Sequence, residues 1–133
     1  MATAPGAELT LRIGVDVVGV GRLEKLVRGH EQSQETLFTQ RELDYCLGKR
    51  RCYEHMAARF AAKEAVMKAM GVGLWKFKLR DVEVVRAKSG APSVALHGRA
   101  AEMAAERGIA AWHLSLTHTE TTALAVAIAM GRG

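Results

Sequence analysis

Aromatic residues make up only 5% of the 133 residues, too few for a platform on which nucleic-acid bases stack. The core must instead be built from aliphatic, Ala and Met side chains, and a hydrophobic content of 49% is enough for one. Proline occurs only twice, which excludes collagen-like and proline-rich chains. The two cysteines, Cys46 and Cys52, form no CxxC and have no second pair to complete a zinc site. Without an export signal ahead of them they read as free thiols of a cytoplasmic protein. No apolar run approaches the ~20 residues that cross a bilayer. Met1–Thr10 lacks the basic and apolar regions of a signal peptide, and is expected to be a flexible arm ahead of one domain over 11–133.

What is present is a basic excess, 19 Lys and Arg against 14 Asp and Glu, for a net charge of +5. The excess is dispersed, and its densest run is only Lys49-Arg50-Arg51. It points to an anionic partner without choosing among nucleic acid, phosphorylated small molecule and acidic protein.

Leu11–Val20 is a β-rich apolar run, of the kind that is buried, with Asp16 in its middle. Leu23, Leu26 and Val27 mark a helix over 22–30, and Thr39-Gln-Arg-Glu42 has the spacing of a capping box for a helix ending near Gly48. The longest periodic segment is Tyr53–Met70, with Gly71 as its stop. Strands are expected at 81–85 and 93–97 around a Ser89–Pro92 turn, a helix over 100–107, and two final strands around the loop at 118–122. This order predicts an α+β fold with a mainly antiparallel sheet packed on the long helix.

Three groupings could carry chemistry. A carboxylate inside an apolar strand needs a partner or a task, so Asp16 either faces solvent, pairs with Arg22, or binds a hard cation. Glu64 and Lys68 are spaced i, i+4; such a pair is often a solvated one worth about 0.2–0.5 kcal/mol. It could equally place a metal-binding carboxylate one turn from an ammonium, with Arg59 and Lys63 extending the cationic surface. In Trp112–Thr119, alternation puts His113, Ser115 and Thr117 on one face, with His118 at the strand end, a grouping able to hold a phosphate. There is no GxxxxGK[ST] loop, no HExxH helix and no nucleophile elbow, and Gly71-Val-Gly73 closes a helix instead of opening one.

Together these pieces resemble the holo-acyl-carrier-protein synthase family of small 4′-phosphopantetheinyl transferases. The matching segments are Ile13-Gly-Val-Asp16-Val-Val with Arg22 beyond it, Phe38-Thr-Gln-Arg-Glu42-Leu, and Arg59-Phe-Ala-Ala-Lys63-Glu64-Ala-Val-Met-Lys68-Ala. Gly90-Ala-Pro92 and Leu114-Ser-Leu-Thr-His118-Thr complete them, in order over nearly the whole chain. The resemblance implies transfer of 4′-phosphopantetheine from coenzyme A to a serine of an acidic apo acyl carrier protein, releasing adenosine 3′,5′-bisphosphate. It implies Mg²⁺, with Mn²⁺ as an alternative ion, on Asp16 and Glu64, and Lys68 as the third catalytic group. Coenzyme A is expected on Lys63, Lys68, Pro92, Ser115, Thr117 and His118, and the carrier protein on Arg22, Lys25 and Arg28. The serine proton would go to Glu64 or to a metal-bound water. A homotrimer with sites between protomers is implied, with no nucleic-acid or membrane partner, and the carrier could serve fatty-acid or polyketide synthesis. The rival from another class is a non-catalytic basic module binding nucleotides or RNA.

Overall fold

The computed structural model describes residues 8–73 and 76–132. Its elements are β1 (Leu9–Gly19), α1 (Val20–Val27), α2 (Glu31–Leu37), α3 (Gln40–Leu47) and α4 (Cys52–Met70). A 3-10 turn (Leu79–Asp81) leads to β2 (Val82–Arg86), β3 (Pro92–Leu96), α5 (Gly98–Glu106), β4 (Ile109–His118) and β5 (Thr122–Arg132). The class is α+β, as expected. β5 lies between β1 and β4 in a three-stranded antiparallel sheet, and β2 and β3 form a separate antiparallel hairpin.

Small side chains let the long helix lie close on the sheet. Ala57, Ala61, Ala62 and Ala65 of α4 are fully buried, as are Ala123, Ala125, Ala127 and Ala129 of β5. At Gly14 of β1 any Cβ would stand 1.9 Å from the Ala65 carbonyl oxygen, so this contact admits glycine alone. Met56, Val66 and Met70 fill the spaces left between the alanines and are buried in turn, each worth about 1.5–3 kcal/mol of burial. Gly71 ends α4 in the left-handed conformation, φ 71°, its N–H bonded to the carbonyls of Met67 and Lys68. The capping box forms as expected: Thr39 Oγ1 accepts from the Glu42 N–H at 3.2 Å, and Glu42 Oε1 accepts from the Thr39 N–H at 2.9 Å.

Three expectations are corrected. β1 begins at Leu9, where Leu9 and Thr10 pair with Arg132 and Gly131, so the arm is shorter than ten residues; residues 1–7 lie outside the described ones. The helix α2 was not expected, because Leu37 is its only buried residue and it shows no apolar stripe. It is held at its side by Gln34, whose Nε2 donates to the Val27 carbonyl at 2.9 Å. The third concerns β1, whose composition suits burial. Only the α4 side is covered; Leu11, Ile13 and Val17 on the other are 59%, 67% and 58% exposed.

Candidate active site

Alternation along β1 turns Asp16 inward, on the same face as Gly14 and Val18, toward α4. There Lys68 Nζ donates to Asp16 Oδ1 at 2.9 Å and to the Val15 carbonyl at 3.1 Å. Lys68 therefore reaches across to the strand instead of pairing along its own helix with Glu64. Among the described residues no hydrogen bond reaches Glu64. Its half-buried carboxyl is held above the usual carboxylate range by burial and then by the Asp16 charge, with Lys68 and Arg22 pulling the other way. Asp16 is thus paired with Lys68, while the Glu64 oxygens have no donor and the Asp16 charge opposes their ionisation.

A cavity of about 590 Å³ opens on this cluster, lined by Asp16, Glu64, Arg22, Lys25, Leu26 and Phe60 among others. Arg22 and Lys25, from the first turns of α1, thus stand at the carboxylates. Arg28 lies beyond the helix end and makes an exposed pair with Glu24 at 2.8 Å. No group of three or more His, Cys, Asp and Glu side chains suited to a metal occurs among the described residues. An ion held by Asp16 and Glu64 would complete its shell from water and substrate oxygens, which is the habit of Mg²⁺.

A second cavity, about 290 Å³, is lined by Tyr45, His55, Arg59, Arg86, Pro92, Ser115 and His118 among others. It is strongly cationic. The guanidinium of Arg59 lies 4.2 Å and that of Arg86 4.9 Å from the Tyr45 ring centre, and Arg86 Nη1 donates to Tyr45 Oη at 2.7 Å. Arg59 Nε is buried without a hydrogen-bond acceptor, a donor left over in a pocket built for negative charge. His118 Nδ1 is 3.0 Å from Glu54 Oε1, and its ring meets that of His55 at 5.1 Å. Burial, then His118, holds the His55 ring below the usual histidine range. Tyr45 and Arg86 carried no signal in the sequence, since a lone Tyr on a short helix and an Arg ending a strand are both ordinary.

Two expected residues fall elsewhere. Lys63 has no exposed side-chain surface. Its ammonium donates to Glu42 Oε1 at 2.7 Å, to the Leu79 carbonyl at 3.2 Å and to the Val82 carbonyl, using all three protons inside the fold. Burial draws it below the usual lysine range, with Glu42 opposing. It faces neither cavity, and since Arg59 is also buried, the expected cationic surface along α4 is absent. Thr117 and His113 are exposed on β4 and line neither cavity, whereas Ser115 and His118 line the cationic one together. The thiols are unpaired, and burial pushes that of Cys46 up to about 12, which leaves it inert.

The two cavities share no lining residue. On α4 the first is lined by Phe60 and Glu64 and the second by His55, Ala58 and Arg59. One chain therefore carries a carboxylate half-site and a cationic half-site as separate cavities along its long helix.

The sequence profile of the 4′-phosphopantetheinyl transferase superfamily matches residues 12–129. A holo-[acyl-carrier-protein] synthase of Moorella thermoacetica is 42% identical over 118 residues, covering 89% of this chain and 92% of that protein. Among solved structures, a Plasmodium yoelii acyl carrier protein synthase with ADP bound superposes with a TM-score of 0.84 at 28% identity, covering 96% of this chain and 100% of that one. The Helicobacter pylori holo-[acyl-carrier-protein] synthase in complex with coenzyme A gives 0.76 at 28% identity, covering 88% and 98%. The chain belongs to the holo-[acyl-carrier-protein] synthase family of 4′-phosphopantetheinyl transferases, and is an enzyme. Among its described residues no helix is long and apolar enough to cross a membrane.

Proposed function

We propose that this chain transfers 4′-phosphopantetheine from coenzyme A to a serine of an apo acyl carrier protein in the cytoplasm and releases adenosine 3′,5′-bisphosphate. The observation that carries the reading is the pair of carboxylates, Asp16 and Glu64, on one cavity, with Lys68 bonded to Asp16 and Glu64 left without a donor. Asp16 and Glu64 fit Mg²⁺, or Mn²⁺ in its place, and the ion when bound would neutralise charge on the diphosphate of coenzyme A. The serine oxygen of the carrier forms the new bond to phosphorus, and the bond from that phosphorus to the bridging oxygen breaks. Lys68 stabilises the charge gathering on the departing bisphosphate. Glu64, which no donor holds, is placed to take the serine proton. Arg22 and Lys25 at the cavity mouth attract the acidic carrier, with Arg28 adding to the field from further along the chain.

The cationic half-site suits the nucleotide end of coenzyme A: Pro92, Ser115 and His118 line it, with Arg59 and Arg86 supplying charge for phosphate. Because the half-sites of one chain share no lining residue, a complete site is best assembled from two copies. The uncovered apolar face of β1 supplies a reason for copies to associate, and a cyclic homotrimer built from heterologous contacts gives three equivalent shared sites. Incubation of the purified chain with apo carrier protein, coenzyme A and Mg²⁺, followed by mass spectrometry, tests the reading. The carrier should gain the mass of one phosphopantetheine. No gain, together with tight RNA binding, would support a nucleic-acid module instead.

A further inference from the structure

Glu54 is a carboxylate that the transfer chemistry leaves without a task. It stands in the first turn of α4, where a negative charge is favoured by the helix dipole, but its surroundings ask for more than that. Its side chain is 10% exposed, and Oε1 lies 3.0 Å from His118 Nδ1, tying the start of α4 to the end of β4. Oε2 faces Arg51 at 3.8 Å, and Arg51 in turn reaches Glu120 of the β4–β5 turn at 3.9 Å. On its other side His118 meets the edge of the His55 ring, which burial holds below the usual histidine range. The His118 ring is thus clamped, and its second nitrogen is the one left for the cavity it lines.

We infer that Glu54 is a positioning residue for the donor substrate: it fixes the His118 ring so that Nε2 meets the phosphate monoester on the ribose of coenzyme A. This rests on the proposed placement of coenzyme A in the cationic half-site. The Glu54 carboxylate can only accept, so it takes Nδ1–H and leaves Nε2 to face the phosphate. Glu54 itself touches no substrate atom.

The test is steady-state kinetics with coenzyme A and with dephospho-coenzyme A, which lacks the monoester, for Glu54→Ala, Glu54→Gln, His118→Ala and the double variant Glu54→Ala/His118→Ala. Glu54→Ala should raise KM for coenzyme A about tenfold with kcat within about twofold, the loss of one charge-assisted contact made equally in ground and transition state. KM for dephospho-coenzyme A should stay near the wild-type value. Glu54→Gln keeps an oxygen acceptor and should recover part of the loss, and Glu54→Ala should add nothing to His118→Ala. Equal effects on the two donors, or additivity with His118→Ala, would overturn the inference. If His118→Ala leaves KM for coenzyme A unchanged, the placement of coenzyme A is overturned instead. Should Glu54→Ala not fold, the same cycle is read with Glu54→Gln, whose smaller loss must also vanish in the His118→Ala background.

Discussion

Replacing Lys63 by Met probes the buried polar centre without touching either cavity. The ammonium has no exposed surface, and its three acceptors are Glu42 and the carbonyls of Leu79 and Val82. Glu42 is equally buried and also accepts from the N–H groups of Thr39 and Val84, both at 2.9 Å. Met matches the lysine stem in volume, so little cavity is created; what remains is a carboxylate buried without its counter-ion and two carbonyls without donors. Breaking such a pair from one side costs about 3–5 kcal/mol. For a chain of this size that is a fall in Tm of about 10–20 °C. The assay is urea and thermal unfolding at one fixed protein concentration, since association adds to stability. Adding Glu42→Gln removes the stranded charge and keeps an acceptor, so the double variant should regain about 1 kcal/mol or more. A loss under about 1 kcal/mol in Lys63→Met, or a double variant no more stable than the single one, would refute the assignment of Lys63 to the fold.

Asp16→Asn and Glu64→Gln should each abolish most transfer at limiting Mg²⁺ while leaving the unfolding midpoint near wild type, and near-normal turnover in either would remove that residue from the ligand set. Asp16→Asn should also lower the pKa of Glu64, readable by carboxyl-carbon NMR, because Asp16 is one cause of its elevation. Burial pushes the Glu83 carboxyl up, but hydrogen bonds from Thr39 and His97 outweigh it and hold the folded value below the unfolded one. Glu83 therefore contributes stability above the unfolded carboxylate value of about 4.3 and loses it as pH falls through the lower folded value; His97→Ala should flatten that acid limb in urea midpoints taken from pH 6 to 3. Charge reversal at Arg22 or Lys25 should raise KM for the carrier more than KM for coenzyme A, with the difference shrinking as added salt shortens the screening length to below about 8 Å.

Much of the carboxylate half-site is legible in the sequence because its chemistry contradicts its surroundings. Asp16 interrupts an apolar strand, and Glu64 and Lys68 recur at one helical turn. The capping box was legible too, since Thr39 and Glu42 act locally. What spacing cannot convey is that Glu42 serves twice, once at the helix start and once as the counter-ion of Lys63, 21 residues on. That contact depends on how α3 meets α4, and without it Lys63 looks like any surface lysine beside a carboxylate. The cationic half-site is hidden for a similar reason, because Tyr45, Arg86 and His118 come from α3, β2 and β4 and converge only in the folded chain. α2 leaves no trace because a short helix with one buried residue has no periodicity to display. The apolar run of β1, by contrast, reads as buried, and the face that the single chain leaves open is the place where a second copy would cover it.

The central claim is that a working site takes its carboxylates from one copy and its cationic pocket from another. Glu64→Ala and His118→Ala damage opposite half-sites: Glu64→Ala alone should be nearly inactive, and His118→Ala, assayed at coenzyme A well below its raised KM, should keep about a tenth of the wild-type rate. Mixed under conditions in which subunit exchange has been verified by mass-tagged chains, they should regain a substantial part of wild-type transfer to apo carrier protein, on the order of a quarter per site in random assemblies. Light scattering on the same samples should give a trimer. Mixed variants that exchange fully and still show no recovery, or a chain that is monomeric at micromolar concentration, would contradict the shared site.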